Sequence, residues 1–481
     1  MDLFDFIKNI IQNNFKNELQ SSINNSIENS IYSNIHIIRN YKNIYIISVG
    51  KASLSMYNAL INTFEKYKLS FNKALVIYDI NLKDKIKDLE TLENNKEIEL
   101  IESTHPLVSD DSFKAAKKII DLALEFDSEN SLFLFLISGG SSSMVEDSII
   151  PPVTLAEIYK ILLQIDFNIY KLNTYRTFLS NIKGGKLLQY FNKSKIISFI
   201  ISDVPFNSVD TIGSGLTTFY KKLSYQEINQ LISELSQYLK ILMDSKMLLN
   251  IINKNKEIEK IMENKLDYLK KNLHNFILLD NFESVYLLYN QMESLKEYYK
   301  LNVKNKDFEI EIVSTHINLD IINLTKFFKS FIFTKLKEYL KGDIKDKIKV
   351  YLFGGETYLK VLKDGYGGRL QHLVLYLIKE LYYLLIDQFN IDELKNKVDI
   401  LFFSLATDGK DGNTDKAGVI LPIFEFFNKD ISKIEKYLDN FNSGIFFDNP
   451  KNNKYLINLP YGLINLNEIY GIIFDFKDYL N

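Results

Sequence analysis

The chain has 481 residues, 46% hydrophobic and 25% charged, with a net charge of −3 and no cysteine. This composition is globular, long enough for two or three domains, and too balanced in charge for a basic nucleic-acid footprint. The missing cysteine excludes disulfides, a catalytic thiolate and cysteine-held zinc or iron–sulfur centres.

The five histidines (His36, His105, His274, His316 and His372) are scattered and form no helical HExxH pair. The N-terminal stretch has no basic region ahead of an apolar core. No apolar run approaches the ~20 residues that span a bilayer. A cytoplasmic protein is expected, with neither membrane nor nucleic acid as partner.

Residues 1–35 have helical apolar spacing at Leu3, Phe6, Ile7, Ile10, Ile11 and Phe15. Strands are then predicted at Ile44–Val49, Ala74–Tyr78, Ile98–Ile101, Leu132–Ile137 and Ile196–Ile201. Helical patterns between them, such as 112–126, indicate an α/β domain with a largely parallel sheet covered on both faces. From about 223 to 301 the pattern is helical and Lys/Glu/Asn/Leu-rich, with a solvated amphipathic helix over Ile252–Leu273. Strands at Phe308–Val313, Lys349–Phe353 and Ile400–Leu405 begin a second α/β domain. The expected organisation is two Rossmann-like α/β domains, 1–235 and 236–481, with an interdomain cleft. The junction lies somewhere in 215–245.

Ligands of such sheets sit beyond the carboxyl ends of the strands, and the polar motifs fall there. Gly50–Lys51 follows the first strand but lacks the GxxxxGK[ST] spacing, because Tyr45 stands at the first glycine position and Ala52 follows the lysine. Ser138-Gly139-Gly140-Ser141-Ser142-Ser143 can offer backbone N–H groups and hydroxyls to an anion. Lys183-Gly184-Gly185-Lys186, after Arg176, gathers cations near a glycine pair. Asp203 follows the fifth strand, where a carboxylate can hold Mg²⁺ or act as a base, or simply cap the next helix. Arg369 ends a GYGGR turn and can clamp a carboxylate or phosphate. Asp408, Asp411 and Asp415 lie in one glycine-containing loop, which could gather Mg²⁺ or form a tight turn that holds a functional loop. Each stretch alone also has an ordinary structural reading, as a turn or a helix cap. Together the cations Lys51, Arg176 and Arg369 and the acids Asp203 and Asp408 point to phosphate-compound chemistry in the cleft. No dinucleotide fingerprint is present.

The ordered segments VGKAS (49–53), THPLVSDDS (104–112), FLISGGSSS (135–143), LNTYRTFLSNIKGGKL (172–187), ISDV (201–204), SGLT (214–217), GGETYLKV (354–361), GYGGR (365–369) and TDGKDGNTDKAG (407–418) resemble the class II glycerate kinases, the glycerate 2-kinases. The C-terminal part of that family is the MOFRL domain, here about 345–475. The resemblance implies ATP- and Mg²⁺-dependent phosphorylation of D-glycerate at its 2-hydroxyl, giving 2-phosphoglycerate. It implies Lys51, Arg369 and Asp203 as catalytic residues, with Asp203 also the metal ligand. Ser138, Gly139, Gly140, Ser141, Ser142, Lys183, Gly184 and Gly185 would bind phosphate or nucleotide, and Arg176 and Asp408 substrate.

The chain departs from the family at several positions. RKHLS becomes Arg176-Thr177-Phe178-Leu179-Ser180, GGRNQE becomes Gly367-Gly368-Arg369-Leu370-Gln371-His372, SDVxGDD becomes Ser202-Asp203-Val204-Pro205-Phe206-Asn207-Ser208, and SGPT becomes SGLT. These changes leave two alternatives beside the glycerate 2-kinase: a catalytically impaired relative that binds a phosphorylated metabolite, and a kinase of another small hydroxy acid. The lysine-rich helices of 240–305 could pack against the cleft, form a homodimer surface or do neither.

Overall fold

The computed structural model describes residues 2–85, 95–164, 169–238, 244–342, 347–361, 364–427, 431–462 and 464–477. The chain divides into two compact units. The first is Ile23–Leu278, and the second joins Met1–Ser22 to Leu279–Asn481.

The first unit is built on a six-stranded sheet of order β3-β2-β1-β4-β5-β6. Its strands are β1 (Asn43–Val49), β2 (Lys73–Asp79), β3 (Ile98–Ser103), β4 (Ser131–Ile137), β5 (Lys195–Ile201) and β6 (Leu273–Leu279). The four pairings that join β3, β2, β1, β4 and β5 are all parallel. Every residue of β4 is buried, as a continuous apolar run covered on both faces requires. The five strands read from apolar runs are therefore present, each within a residue or two of its predicted ends. Because they run parallel, the loops after β1, β4 and β5 emerge along one edge.

The stretch expected to be helical throughout, 223–301, contains β6. LHNFILL is too short an apolar run to separate from the flanking helices by periodicity. The helix Ser245–Asn264 is not merely solvated, since Ile251, Asn255, Ile258 and Met262 are buried. Ile258 and Met262 join the apolar layer under the first sheet together with Leu269 and Leu273. These contacts keep 236–278 with the first unit, so the division falls at 278/279 rather than near 235.

The second unit has its own six-stranded sheet, β11-β10-β9-β12-β8-β7. The strands are β7 (Asp307–Asp320), β8 (Lys347–Tyr358), β9 (Val398–Ala406), β10 (Gly418–Pro422), β11 (Leu456–Ile457) and β12 (Glu468–Phe476). Only β7 and β8 pair in parallel; the other four pairings are antiparallel. The helices Ile321–Leu340 and Arg369–Gln388 supply the apolar layer against this sheet. Phe328 packs on Phe353, Phe402 and Tyr470 with ring centroids 5.3–5.4 Å apart. Within the N-terminal segment of this unit, Phe6 packs on Tyr299 at 4.7 Å. Among the described residues, no helix is long and apolar enough to cross a membrane.

Candidate active-site clusters in the two units

In the first unit the loops after β1 and β4 are stitched together. The Lys51 N–H donates to the Gly139 carbonyl (2.8 Å), the Ala52 N–H to Ser138 Oγ (3.0 Å), and the Ser138 N–H to the Val49 carbonyl (3.1 Å). Gly140 has φ +88°, a backbone that glycine adopts without a Cβ penalty. A Cβ on Gly139 would lie 1.9 Å from Asp203 Oδ2, and one on Gly140 would lie 3.1 Å from the His105 ring and 3.2 Å from Lys51 Cγ. Lys51, Asp203 and His105 thus surround the Gly139–Gly140 pair.

His105 was not singled out as a site residue from the sequence. Its signal was its place in THPLVSDDS, one of the matching segments. Burial and the neighbouring Lys51 push its imidazole down to about 4, against the pull of Asp79, so it is neutral at physiological pH.

The serines of the same loop divide in role. Ser141 Oγ is buried with no hydrogen-bond partner among the described residues. Ser142 Oγ lies 2.9 Å from Ser214 Oγ, which lies 3.0 Å from Asn173 Oδ1. Arg176 reaches the same Asn173 oxygen at 3.5 Å and stands over the Tyr159 ring at 5.9 Å. Arg176 is therefore linked to the SGGSSS loop through Asn173 and Ser214.

The KGGK stretch is used differently from what its charges suggest. Lys183 is fully buried and ion-paired to Glu146, itself fully buried and also bound by the Tyr159 hydroxyl. Burial lowers the Lys183 ammonium and Glu146 pulls it back up. Lys186 donates to the Thr177 and Ser180 carbonyls and to Asn255 Oδ1 at 2.6–2.8 Å. The Gly184 and Gly185 N–H groups donate to the Ser214 and Gly215 carbonyls. These groups are spent inside the protein: the Gly184 and Gly185 N–H groups brace the 213–218 loop, and the Lys183 ammonium is held by Glu146 and the Val145 carbonyl.

In the second unit, Arg369 is the first residue of the helix Arg369–Gln388. Asp411 fixes that helix end: its Oδ1 accepts from the Leu370 N–H (3.0 Å) and its Oδ2 from the Gln371 N–H (2.9 Å). Burial pushes the Asp411 carboxyl up to about 6, against these two N–H bonds and Arg369. Arg369 Nε pairs with Glu468, and its Nη1 lies 3.3 Å from Glu356. Glu468 is buried, and its Oε2 accepts from the Thr357 N–H (2.8 Å) and the Tyr470 hydroxyl. Burial pushes Glu468 up to about 7, opposed by Arg369.

The three carboxylates of 407–418 therefore do not converge. Asp411 is buried under the helix, Asp415 is exposed beside Lys416, and Asp408 Oδ1 accepts from the Lys410 N–H. Sequence reasoning chose Asp408 from this loop, whereas Asp411 is the residue that positions Arg369. No group of three or more histidine, aspartate or glutamate side chains able to hold a metal lies among the described residues. An ion carried on nucleotide phosphates needs only one or two protein carboxylates. Asp203, poised over Gly139, fits that requirement.

The positions that depart from the family pattern mostly turn inward. Phe178 and Leu370 are fully buried in apolar layers. His372 is buried, stacks on Phe441 at 5.4 Å, and is pushed down to about 4 by burial. Phe206 is exposed and holds φ +61°.

Residues 7–243 match the family model described as a domain of unknown function, DUF4147, and residues 349–467 match the MOFRL family. The chain is 31% identical to an uncharacterised protein of Caenorhabditis elegans over 85% of this chain and 84% of that one. It is 29% identical to a glycerate 2-kinase of Picrophilus torridus, over 83% of this chain and 80% of the relative. The crystal structure of a glycerate kinase from Thermotoga maritima superposes with a TM-score of 0.68 at 20% identity, covering 98% of this chain and all of that one.

Proposed function

The chain belongs to the glycerate kinase family with a MOFRL domain, and on that premise we propose that it transfers the γ-phosphoryl group of ATP to the 2-hydroxyl of D-glycerate. The observation that carries this reading is the convergence of Lys51, His105 and Asp203 on the Gly139–Gly140 turn.

Phosphoryl transfer demands little covalent chemistry from a protein; position and charge supply most of the rate. Lys51 is the cation that meets negative charge on the transferring group. The Gly139–Ser142 backbone lies against the phosphate oxygens. Asp203 holds Mg²⁺ or accepts the proton that leaves the glycerate hydroxyl. The ion, when bound, supplies charge neutralisation on the phosphates. Arg369 takes an anionic group, a carboxylate or a phosphate, through the outer edge of its guanidinium.

The inward packing of Phe178, Leu370 and His372 supports a working kinase over an impaired relative. The polar residues that the family carries at these three positions are replaced by core packing, and Lys51, Asp203 and Arg369 are retained. The test is ADP release from Mg-ATP with and without D-glycerate. Glycerate-dependent release that falls at least ~100-fold in Lys51→Ala, in a variant that still melts cooperatively, is the expected result. Unchanged turnover in that variant contradicts the role of Lys51.

A further inference from the structure

Arg369 is held by two acids that are not equivalent. Glu468 is 1% exposed in its side chain, starts the central strand β12, and is tied by the Thr357 N–H and the Tyr470 hydroxyl as well as by Arg369. Glu356 is 39% exposed and meets Arg369 Nη1 at 3.3 Å. Among the described residues, Arg369 is the only hydrogen-bonding partner of the Glu356 side chain. A buried, multiply bonded carboxylate cannot leave its arginine without stranding two donors and a charge. An exposed carboxylate on a single long contact exchanges with solvent or with another anion at little cost.

The guanidinium has five N–H donors. Glu468 faces Nε and Glu356 faces Nη1, and the Arg369 side chain remains 38% exposed. The backbone of Arg369 does not move with the exchange, because Asp411 pins the first turn of its helix.

We infer that Glu356 is a placeholder at an anion site: it occupies Arg369 in the ligand-free protein and gives way to the carboxylate or phosphate of the substrate, while Glu468 is the permanent anchor that sets the direction of the guanidinium. The inference rests on the reading of Arg369 as an anion-binding arginine. It makes Glu356 a determinant of substrate affinity and Glu468 a positioning residue. Neither is itself a catalytic residue.

The experiment is calorimetric titration of the full-length protein with D-glycerate and, separately, with inorganic phosphate, alongside steady-state kinetics. Glu356→Gln keeps the side-chain shape and removes the competing charge. Its affinity for whichever anion the wild type binds is expected to rise about two- to fivefold, the range of an exposed ion pair, with a matching fall in KM and little change in kcat. Glu468→Gln is expected to lose anion affinity and kcat together, with partial recovery in Glu468→Asp. The Asp variant retains the charge if the Gln variant fails to fold. Unchanged or weaker anion binding in Glu356→Gln overturns the inference, as does binding of neither anion by wild type and variant. If phosphate binds tighter to Glu356→Gln while D-glycerate is neither bound nor turned over, the placeholder stands and the glycerate kinase reading falls.

Discussion

Lys183 and Lys186 flank a glycine pair, and their charges alone invite an anion. Burial reassigns both. Lys183 has a buried carboxylate partner, and Lys186 has three neutral oxygens around its ammonium. Removing one member of a fully buried pair leaves the other charge stranded, at about 3–5 kcal/mol. Lys183→Met is therefore expected to lose about that much unfolding free energy in a urea titration. Adding Glu146→Gln should restore a large part of it. A stable Lys183→Met protein that no longer binds ATP would instead return Lys183 to the ligand. His372 gives a second prediction at this scale. Its folded imidazole stays neutral down to about 4, while in the unfolded chain it protonates near 6.5. Between those values the unfolded state binds more protons, so acid draws the equilibrium towards unfolding. Stability is expected to fall as pH drops from about 6.5 towards 4, and to fall less in His372→Leu, which also removes a buried Nδ1 that has no hydrogen-bond partner among the described residues. Identical acid profiles for the two proteins would contradict this account.

Elements were legible where one physical signal dominated. β1, β2, β4 and β5 announced themselves as β-branched and aromatic runs because a parallel sheet buries both faces. β6 was hidden between helices of similar hydrophobicity. β12 was missed although it is central. Gly471 interrupts its pattern, and the structure needs that glycine because a Cβ there would lie 2.0 Å from the Phe403 ring. The loop 407–418 was legible as important but not in its working part. Nothing in the spacing of its three aspartates says which one reaches a helix end some forty residues away in sequence. Asp411→Ala is expected to orphan the Leu370 and Gln371 N–H groups and cost roughly 1–3 kcal/mol. Asp415→Ala, at an exposed site, should stay within about 0.5 kcal/mol. Equal melting temperatures for the two would refute the capping role. In the loop after β5, Phe206 keeps a left-handed backbone where the resembling family carries glycine. Phe206→Gly is expected to stabilise by up to about 1 kcal/mol. A loss of stability would show that the phenylalanine side chain outweighs the strain of its backbone.

At the scale of the whole molecule, the sequence read correctly as α/β, with a parallel sheet in the first unit. It placed the division too early, because the Lys/Asn-rich surface of 245–272 conceals a buried stripe of Ile251, Ile258, Met262 and Leu269. Motif order carried the family, since the segments from VGKAS to TDGKDGNTDKAG run across both units. Physical reading of the same motifs went only as far as an anionic substrate. What composition and spacing could not supply was partnership: Asp203 with Gly139, His105 with Lys51, and Asp411 with the helix of Arg369 all join residues far apart in sequence. Transfer from ATP to the 2-hydroxyl of D-glycerate is tested most directly by the ³¹P and ¹H NMR spectrum of the product formed from Mg-ATP and D-glycerate. Its phosphorus is expected to couple to the single methine proton at C2. Coupling to the C3 methylene protons, or ATP consumed without a phosphorylated glycerate, would contradict it.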